Sequence, residues 1–377
     1  MRFLHTADLH LGKRLNDIYL LEDQKHILSQ IASIARTERV DSVLISGDVY
    51  QKASPDSGAM ETFNGFVTEL VSMGKKVFVI SGNHDSDRRI SYFSSLLRPS
   101  GVYVSEKFEG RLQRITLEDE FGEVDVYLFP FTKPLHMRKY FPEEGLATYQ
   151  QMTEKILSAS GVDYTRRCVL LAHQYIIGAE LSDSEELAVG GLDSIDAALF
   201  AGFDYVALGH IHKPQKVGRE NTVYAGSPLK YSFSEVKGKK SVVIADLGKK
   251  GEVSVKRIPL EPLHEMREVR GGLCDILAMP YSEDYVRVTV TDEFVAPDAK
   301  VTVSTVFPNT MEYSVSNSKT REGDGEEYCE SVENKTVTQL FRDFFYTQTG
   351  GTEPDGAHID LITELLEEME ENAREAD

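Results

Sequence analysis

Five short apolar runs, each ending on residues able to bind a cation, constrain this chain more than any other feature. The runs are RFLHTA, SVLIS (42–46), KVFVIS (76–81), CVLLA (168–172) and DYVALG (204–209). Each has the length and composition of a strand buried on both faces. Between the first two, Leu21, Ile27, Leu28, Ile31, Ile34 and Ala35 recur at helical spacing, and between the second and third Met60, Phe63, Phe66, Val67 and Leu70 do the same. Strand, helix, strand, helix, strand is the order of an α/β layered core.

Asp8 and His10 follow the first run, Asp48 the second (SGDVY), Asn83, His84 and Asp85 the third (SGNHD), His173 the fourth, and His210 and His212 the fifth (GHIH). In an open α/β sheet the carboxyl ends of the strands share one edge, where ligands bind. Asp oxygen, Asn carbonyl oxygen and neutral imidazole form a mixed set suited to Mn²⁺ or Fe²⁺ rather than to thiolate-bound structural zinc. Seven such donors are too many for one ion. They suffice for two ions sharing a bridging carboxylate, an arrangement that clamps the attacking and leaving oxygens of a phosphoryl displacement. Gly47, Gly82 and Gly209 each precede a donor, where a sharp turn out of the strand favours a residue without Cβ.

Composition narrows the class. With 377 residues the chain has room for about two domains, and 41% hydrophobic and 27% charged residues are globular values. No signal-peptide pattern follows Met1 and no apolar run reaches a membrane-spanning length, so a cytoplasmic protein without a membrane partner is expected. Cys168, Cys274 and Cys329 have neither zinc-site spacing nor the even count of a disulfide framework. A net charge of −20 argues against a polyanionic partner only until its distribution is read. Residues 321–377 hold 17 acidic and 4 basic side chains, leaving 44 and 37 in the first 320. Local clusters at Lys13-Arg14, Arg88-Arg89, Arg138-Lys139 and Lys237/Lys239/Lys240 therefore bear more on phosphate binding than the whole-chain charge.

The texture changes after about residue 262, with Pro259, Pro262 and Gly271-Gly272 followed by the alternating stretches YVRVTVTD (285–292) and MEYSVS (311–316). We read residues 1–262 as one domain, 263–316 as a smaller α+β domain, and 317–377 as an acidic linker with C-terminal helices. The stretch 298–307 fits a strand by its alternating valines and a helix by Asp298 as cap. In the tail, VTQLFRDFFY and IDLITELLEEMEENARE read as helices, either capping this chain or docking on a partner.

DLH, GDVY, GNHD, the single His173 and GHIH together resemble the signature motifs of the calcineurin-like metallophosphoesterases over residues 1 to about 250. HTADLHLGK, GSPLKYSFSE (226–235) and the extra C-terminal segments are similar to those of the SbcD family of nuclease subunits. That resemblance implies a β-sandwich core flanked by helices, a capping domain and a helical tail. It further implies a DNA exonuclease and endonuclease serving double-strand-break repair or hairpin processing. The partners would be DNA and an SbcC-type coiled-coil ATPase, with the chain as a homodimer inside a heterotetramer; the absence of GxxxxGK[ST] agrees with ATP use residing in the partner.

Carried onto this sequence, the family pattern puts one divalent ion, Mn²⁺ by expectation, on Asp8, His10, Asp48 and His212. A second would lie on Asp48, Asn83, His173 and His210, with Asp48 bridging. His84 matches the family's catalytic histidine, with Asp85 orienting it. Some relatives carry a further histidine after the GD motif where this chain has Gln51-Lys52. A protein phosphatase would show Arg after GD and GNHE in place of GNHD. A small-molecule phosphodiesterase acting on cyclic nucleotides or nucleotide sugars is the alternative enzyme, and a scaffold with a vestigial site is disfavoured by the complete donor set.

Overall fold

The computed structural model describes residues 1–16, 18–142, 146–183, 185 and 194–318, and beyond them only 341–342, 345–346, 354–356 and 358–359. The acidic linker and both tail helices read from the sequence lie, apart from these few positions, outside the described residues. The chain forms two units, residues 1–289 with 296–314, and residues 290–295 with 315–377.

In chain order the first unit opens with β1 (Arg2–Thr6), α1 (Leu21–Thr37), β2 (Ser42–Ser46), α2 (Ser57–Ser72), β3 (Lys76–Ile80) and β4 (Val102–Val104). Next come β5 (Gln113–Asp119), β6 (Gly122–Phe129), α3 (Tyr149–Ser160), β7 (Arg167–His173), β8 (Tyr205–Gly209), β9 (Gln215–Val217) and β10 (Arg219–Tyr224). Strands β11 (Ser241–Leu247) and β12 (Val253–Pro259) follow.

The five apolar runs divide between two six-stranded sheets, ordered β12-β11-β1-β2-β3-β4 and β9-β10-β8-β7-β6-β5. Within the first, β1 to β4 are parallel and β11 returns antiparallel to β1. Within the second, β6, β7, β8 and β10 are parallel, and β5 and β9 are antiparallel edges.

Alternation along each strand explains why the strands form two facing sheets. Phe3, Leu44, Phe78 and Ile80 point inward against Val126, Leu128, Leu171 and Ala207 of the facing sheet. Their neighbours Leu4, Val43, Ile45, Val77 and Val79 point outward against Ile27, Leu28 and Ile31 of α1 and Phe66 and Leu70 of α2. On the far side, Phe129, Leu170 and Leu208 pack on Met152 and Ile156 of α3. The result is a β-sandwich covered by helices on both outer faces. Fully burying one such Leu contributes about 1.5–3 kcal/mol.

Helix α1 carries Glu22 and Asp23 in its first turn and Arg36 in its last, matching the helix dipole. Helix α2 begins at Asp56, whose side chain accepts the N–H of Ala59 at 2.9 Å. Its buried stripe runs through Ala59, Phe63, Phe66, Val67 and Leu70. Met60, grouped with that stripe from spacing alone, lies off it and is 48% exposed.

Further along, β13 (Met266–Gly271), β14 (Tyr285–Val290) and β15 (Thr310–Val315) form a three-stranded sheet in that order, with short helices α4 (Leu273–Leu277) and α5 (Ala299–Val303). The ambiguous 298–307 stretch is thus helical at its start. Ala299 and Val303, four apart, are buried while Val301 is exposed, so the burial follows a helix and not a strand. Asp298 makes no side-chain cap bond. In the second unit, the N–H of Ser316 donates to the Val290 carbonyl at 2.8 Å, and the Ser318 hydroxyl to Glu293 at 2.6 Å. Among the described residues no helix is long and apolar enough to cross a membrane.

Candidate metal centre

The carboxyl ends of β1, β2 and β3 meet those of β7 and β8 where the two sheets come closest. The Ser46 hydroxyl donates to the Ala207 carbonyl at 3.0 Å across the gap. A Cβ on Gly209 would stand 2.0 Å from the Ser46 carbonyl oxygen, so only glycine permits this approach. Gly82 has the same role: its Cβ would lie 2.1 Å from Asp48 Oδ1. Of the three glycines before donor residues, only Gly47 (φ +91°) is required by its turn; the other two are required by space.

Four donor residues sit at positive φ themselves: Asp8 (+53°), His10 (+44°), Asp48 (+48°) and His210 (+97°). Such backbone costs on the order of 1–3 kcal/mol per residue and persists only where its surroundings enforce it. Here the enforcement is a ladder between two loops. The N–H groups of Asp8, His10 and Leu11 donate to the carbonyls of Gly47, Asp48 and Val49 at 2.9–3.0 Å.

All seven sequence-derived donors converge. His10 Nε2 and His212 Nε2 approach to 3.0 Å, His173 Nε2 lies 3.0 Å from Asn83 Oδ1 and 3.3 Å from Asp48 Oδ2, and His210 Nδ1 lies 3.1 Å from Asn83 Oδ1. Three overlapping groups bring one ligand atom per residue within 4.8 Å of each other: Asp8/His10/His212, His10/Asp48/His84 and Asp8/Asp48/His173. His173 Nδ1 faces the Ser46 carbonyl at 2.8 Å, which fixes an N–H there and turns Nε2 toward Asp48 and Asn83.

Electrostatics favour positive charge at this locus. Burial pushes the carboxyl of Asp8 upward, and it pushes that of Asp85 upward with Asp48 adding repulsion. Burial acts the same way on Asp48, but the surrounding His173, His10 and His84 hold its carboxyl well below the usual range. For His173 burial opposes the imidazolium, yet Asp48 and Asp8 raise it to about 9. His10 and His210 are driven down chiefly by burial and stand as neutral imidazoles, the form that binds metal. Asp8 Oδ2 is fully buried and accepts no hydrogen bond among the described residues. An orphaned buried carboxyl oxygen is costly unless a cation satisfies it, so the donor set fits divalent metal.

His84 and Asp85 part company. The Asp85 carboxylate accepts the N–H groups of Gly82, Val49 and Tyr50 at 2.9, 3.1 and 2.9 Å, pinning the GNHD loop to the GD loop. The group facing the His84 ring is the Gln51 carbonyl, 3.2 Å from Nδ1, while the His84 N–H donates to Asp48 Oδ1 at 3.0 Å. Asp85, expected from the resemblance to orient His84, thus bonds the backbone of the two loops, and the hydrogen-bond partner of the His84 ring is the Gln51 carbonyl.

Several supporting residues had no motif to mark them. Gln24 of α1 donates to the carbonyl of His10 at 2.7 Å and accepts the N–H of Gly12 at 3.0 Å. The Tyr231 hydroxyl donates to the Leu9 carbonyl at 2.6 Å. Glu185 accepts the His212 N–H at 2.6 Å. Glu235 faces His212 Nδ1 at 3.9 Å; burial opposes its charge, but His212 and the buried Lys240 hold its carboxyl at about 2. Tyr231 and Glu235 belong to GSPLKYSFSE, so their segment, though not their role, stood out in the sequence.

Comparison with known proteins identifies the family of the chain. Residues 1–214 match the family model of the calcineurin-like phosphoesterases, and residues 262–349 match a model described as the type 5 capsule protein repressor C-terminal domain. The D subunit of nuclease SbcCD from Staphylococcus epidermidis is 32% identical over 322 residues, covering 83% of this chain and 85% of the relative. That of Staphylococcus saprophyticus is 30% identical over 381 residues, covering 98% and 99%. Among solved structures, a dimetal phosphatase from Danio rerio aligns at 11% identity with a TM-score of 0.41, over 70% of this chain and 98% of that one. The chain belongs to the calcineurin-like phosphoesterases and is a phosphoester-hydrolysing enzyme of that class. Within the class its family is that of the SbcD nuclease subunits, matched over nearly the whole length.

Proposed function

We propose that this chain is a two-metal DNA nuclease, cutting phosphodiesters both exo- and endonucleolytically as the partner of an SbcC-type coiled-coil ATPase. The observation that carries the reading is the convergence of Asp8, His10, Asp48, Asn83, His173, His210 and His212 beside His84 in a relative of named nuclease subunits. Asp8, His10, Asp48 and His212 would hold one divalent ion, and Asp48, Asn83, His173 and His210 the other. Mn²⁺ suits this O/N set. When bound, the ions supply an activated water and neutralise charge developing at phosphorus.

The chain's own residues do the rest. With Nδ1 of His84 donating to the Gln51 carbonyl, Nε2 is the nitrogen free to meet the substrate and pass a proton to the leaving oxygen. Asp85, Gln24 and Tyr231 hold the loops in register. Residues 1–262 serve as the nuclease domain, 263–316 as a cap and 317–377 as the partner-binding tail of a cytoplasmic complex. A homodimer is supported by the segment following Asp87, which exposes Tyr92 (76%) and Leu96 (71%) beside Phe93.

The test presents the Mn²⁺-loaded protein with linear DNA, a cyclic nucleotide and a phosphoprotein side by side. Degradation of DNA alone is the expected result. Turnover of the cyclic nucleotide with intact DNA would replace this reading by a small-molecule phosphodiesterase.

A further inference from the structure

A groove of about 380 Å³ opens beside the donor cluster, lined in part by Asn83, Arg88, Lys107, Lys133 and Lys139. Three strand ends build it: the residues after β3, after β4 and after β6. Its walls are tied by the Phe131 N–H donating to the Ser81 carbonyl at 2.9 Å. The Phe131 ring in turn meets His173 edge-on, with centroids 6.3 Å apart.

Two features recommend this groove as a phosphate site: four cations gather on it, and it is continuous with the donors. Many cations of this acidic chain pair with carboxylates, as in Arg2–Asp246, Arg98–Glu106 and Arg166–Asp125. The side chains of Arg88, Lys107, Lys133 and Lys139 are exposed, and none has a carboxylate within 4.0 Å among the described residues. Of the two acidic residues on the wall, Asp85 is occupied by three backbone N–H groups and Asp87 accepts the N–H of Arg88. The groove is also continuous with the donors, because Asn83 lines it while its Oδ1 sits 3.0 Å from His173 Nε2 and 3.1 Å from His210 Nδ1.

We infer that this groove is a track for the phosphates of one DNA strand on one side of the bond being cut, with Arg88, Lys107, Lys133 and Lys139 as its phosphate-binding groups. This rests on the nuclease reading and adds to it a residue-level site for holding the strand. Unpaired cations along a polyanion's path displace its condensed counterions, which makes binding steeply salt-dependent. They touch the strand away from the scissile phosphate, so they act on a long substrate and not on a small one.

The experiment compares wild type with Lys107→Gln/Lys133→Gln/Lys139→Gln on two substrates, a single-stranded oligonucleotide and bis(p-nitrophenyl) phosphate, in Mn²⁺ across a salt series. For the oligonucleotide, KM should rise about tenfold or more, and the slope of log kcat/KM against log salt should become shallower by about 2, roughly 0.7 for each phosphate no longer neutralised. Hydrolysis of the small diester should stay within about twofold of wild type, as that substrate never reaches the groove. Lys→Arg at the same three positions should restore the slope. An unchanged KM and slope, or an equal loss on both substrates, overturns the groove while leaving the nuclease reading intact. A wild-type protein that hydrolyses the small diester and never the oligonucleotide overturns the nuclease reading itself.

Discussion

The side-chain amide of Gln24, on the first turn of α1, donates to the main-chain carbonyl of His10 at 2.7 Å. Because His10 sits at φ +44°, this bond helps hold a strained donor in place, and the same amide group accepts the N–H of Gly12. Gln24→Ala would leave buried polar groups of the DLH loop without partners, at about 1–3 kcal/mol. Supporting residues of this kind typically change metal affinity by about 10–100-fold. Calorimetric Mn²⁺ titration should show one site weakened to that extent with the circular dichroism spectrum preserved. Unaltered affinity at both sites would mean that the loop holds its shape without Gln24.

Gln24 also marks what a sequence can and cannot reveal here. Donors such as Asp48 and His210 act with side chains at strand ends, and a buried strand followed by glycine and a donor is a local pattern. Gln24, Tyr231 and Glu185 act on backbone groups of residues far away in the chain, at Leu9, His10 and His212, so nothing local distinguishes them from ordinary helix or loop residues. Helices α1 and α2 were legible from apolar spacing, because one face of each packs on a sheet. The division into two sheets was legible only through the family resemblance, which implied a β-sandwich, and not from the apolar runs themselves. It depends on which strands pair, and β5 and β12 are half-exposed edges whose mixed polarity carries little signal.

His84→Ala tests the proposed proton donor. Its ring is held by the Gln51 carbonyl and stands edge-on to His10, close enough to His10 and Asp48 to be grouped with them. A general acid contributes to the transition state alone, so kcat on DNA should fall by about 10²–10⁴. Metal analysis should find both ions retained. Loss of an ion would make His84 a ligand.

Removal of Asp48, the carboxylate proposed to be shared, should be more damaging than removal of a one-site donor. Asp48 faces His173 at 3.3 Å and His10 at 3.7 Å, from both halves of the cluster. In Asp48→Ala both sites should lose Mn²⁺, whereas His10→Ala should chiefly weaken one. The measurement is bound metal per chain after dialysis at a fixed free Mn²⁺ concentration. Equal stoichiometry in the two variants would count against a bridging role.

Away from the centre, an ion pair joining the end of β5 to the start of β7 sets an acid limit on stability. Arg167 and Asp119 are both nearly buried and form a two-pronged pair at 2.6 and 2.8 Å, with Arg167 also donating to the carbonyls of Gly122 and Leu247. The Arg167 guanidinium holds the Asp119 carboxyl well below the usual carboxylate range. A carboxyl whose folded-state pKa is depressed contributes stability that is complete above its unfolded value of about 3.9 and is lost as pH falls toward the folded value. Asp119→Asn leaves Arg167 charged and unmatched, which should cost about 3 kcal/mol at pH 7. Below about pH 4 the carboxyl of the unfolded chain takes up its proton while the folded one stays ionised, so the wild type loses stability and the gap between the two proteins should narrow. Urea melts at pH 7 and at successively lower pH measure that gap directly; a difference constant through the acid range would show that Asp119 acts by shape and hydrogen bonding rather than by charge.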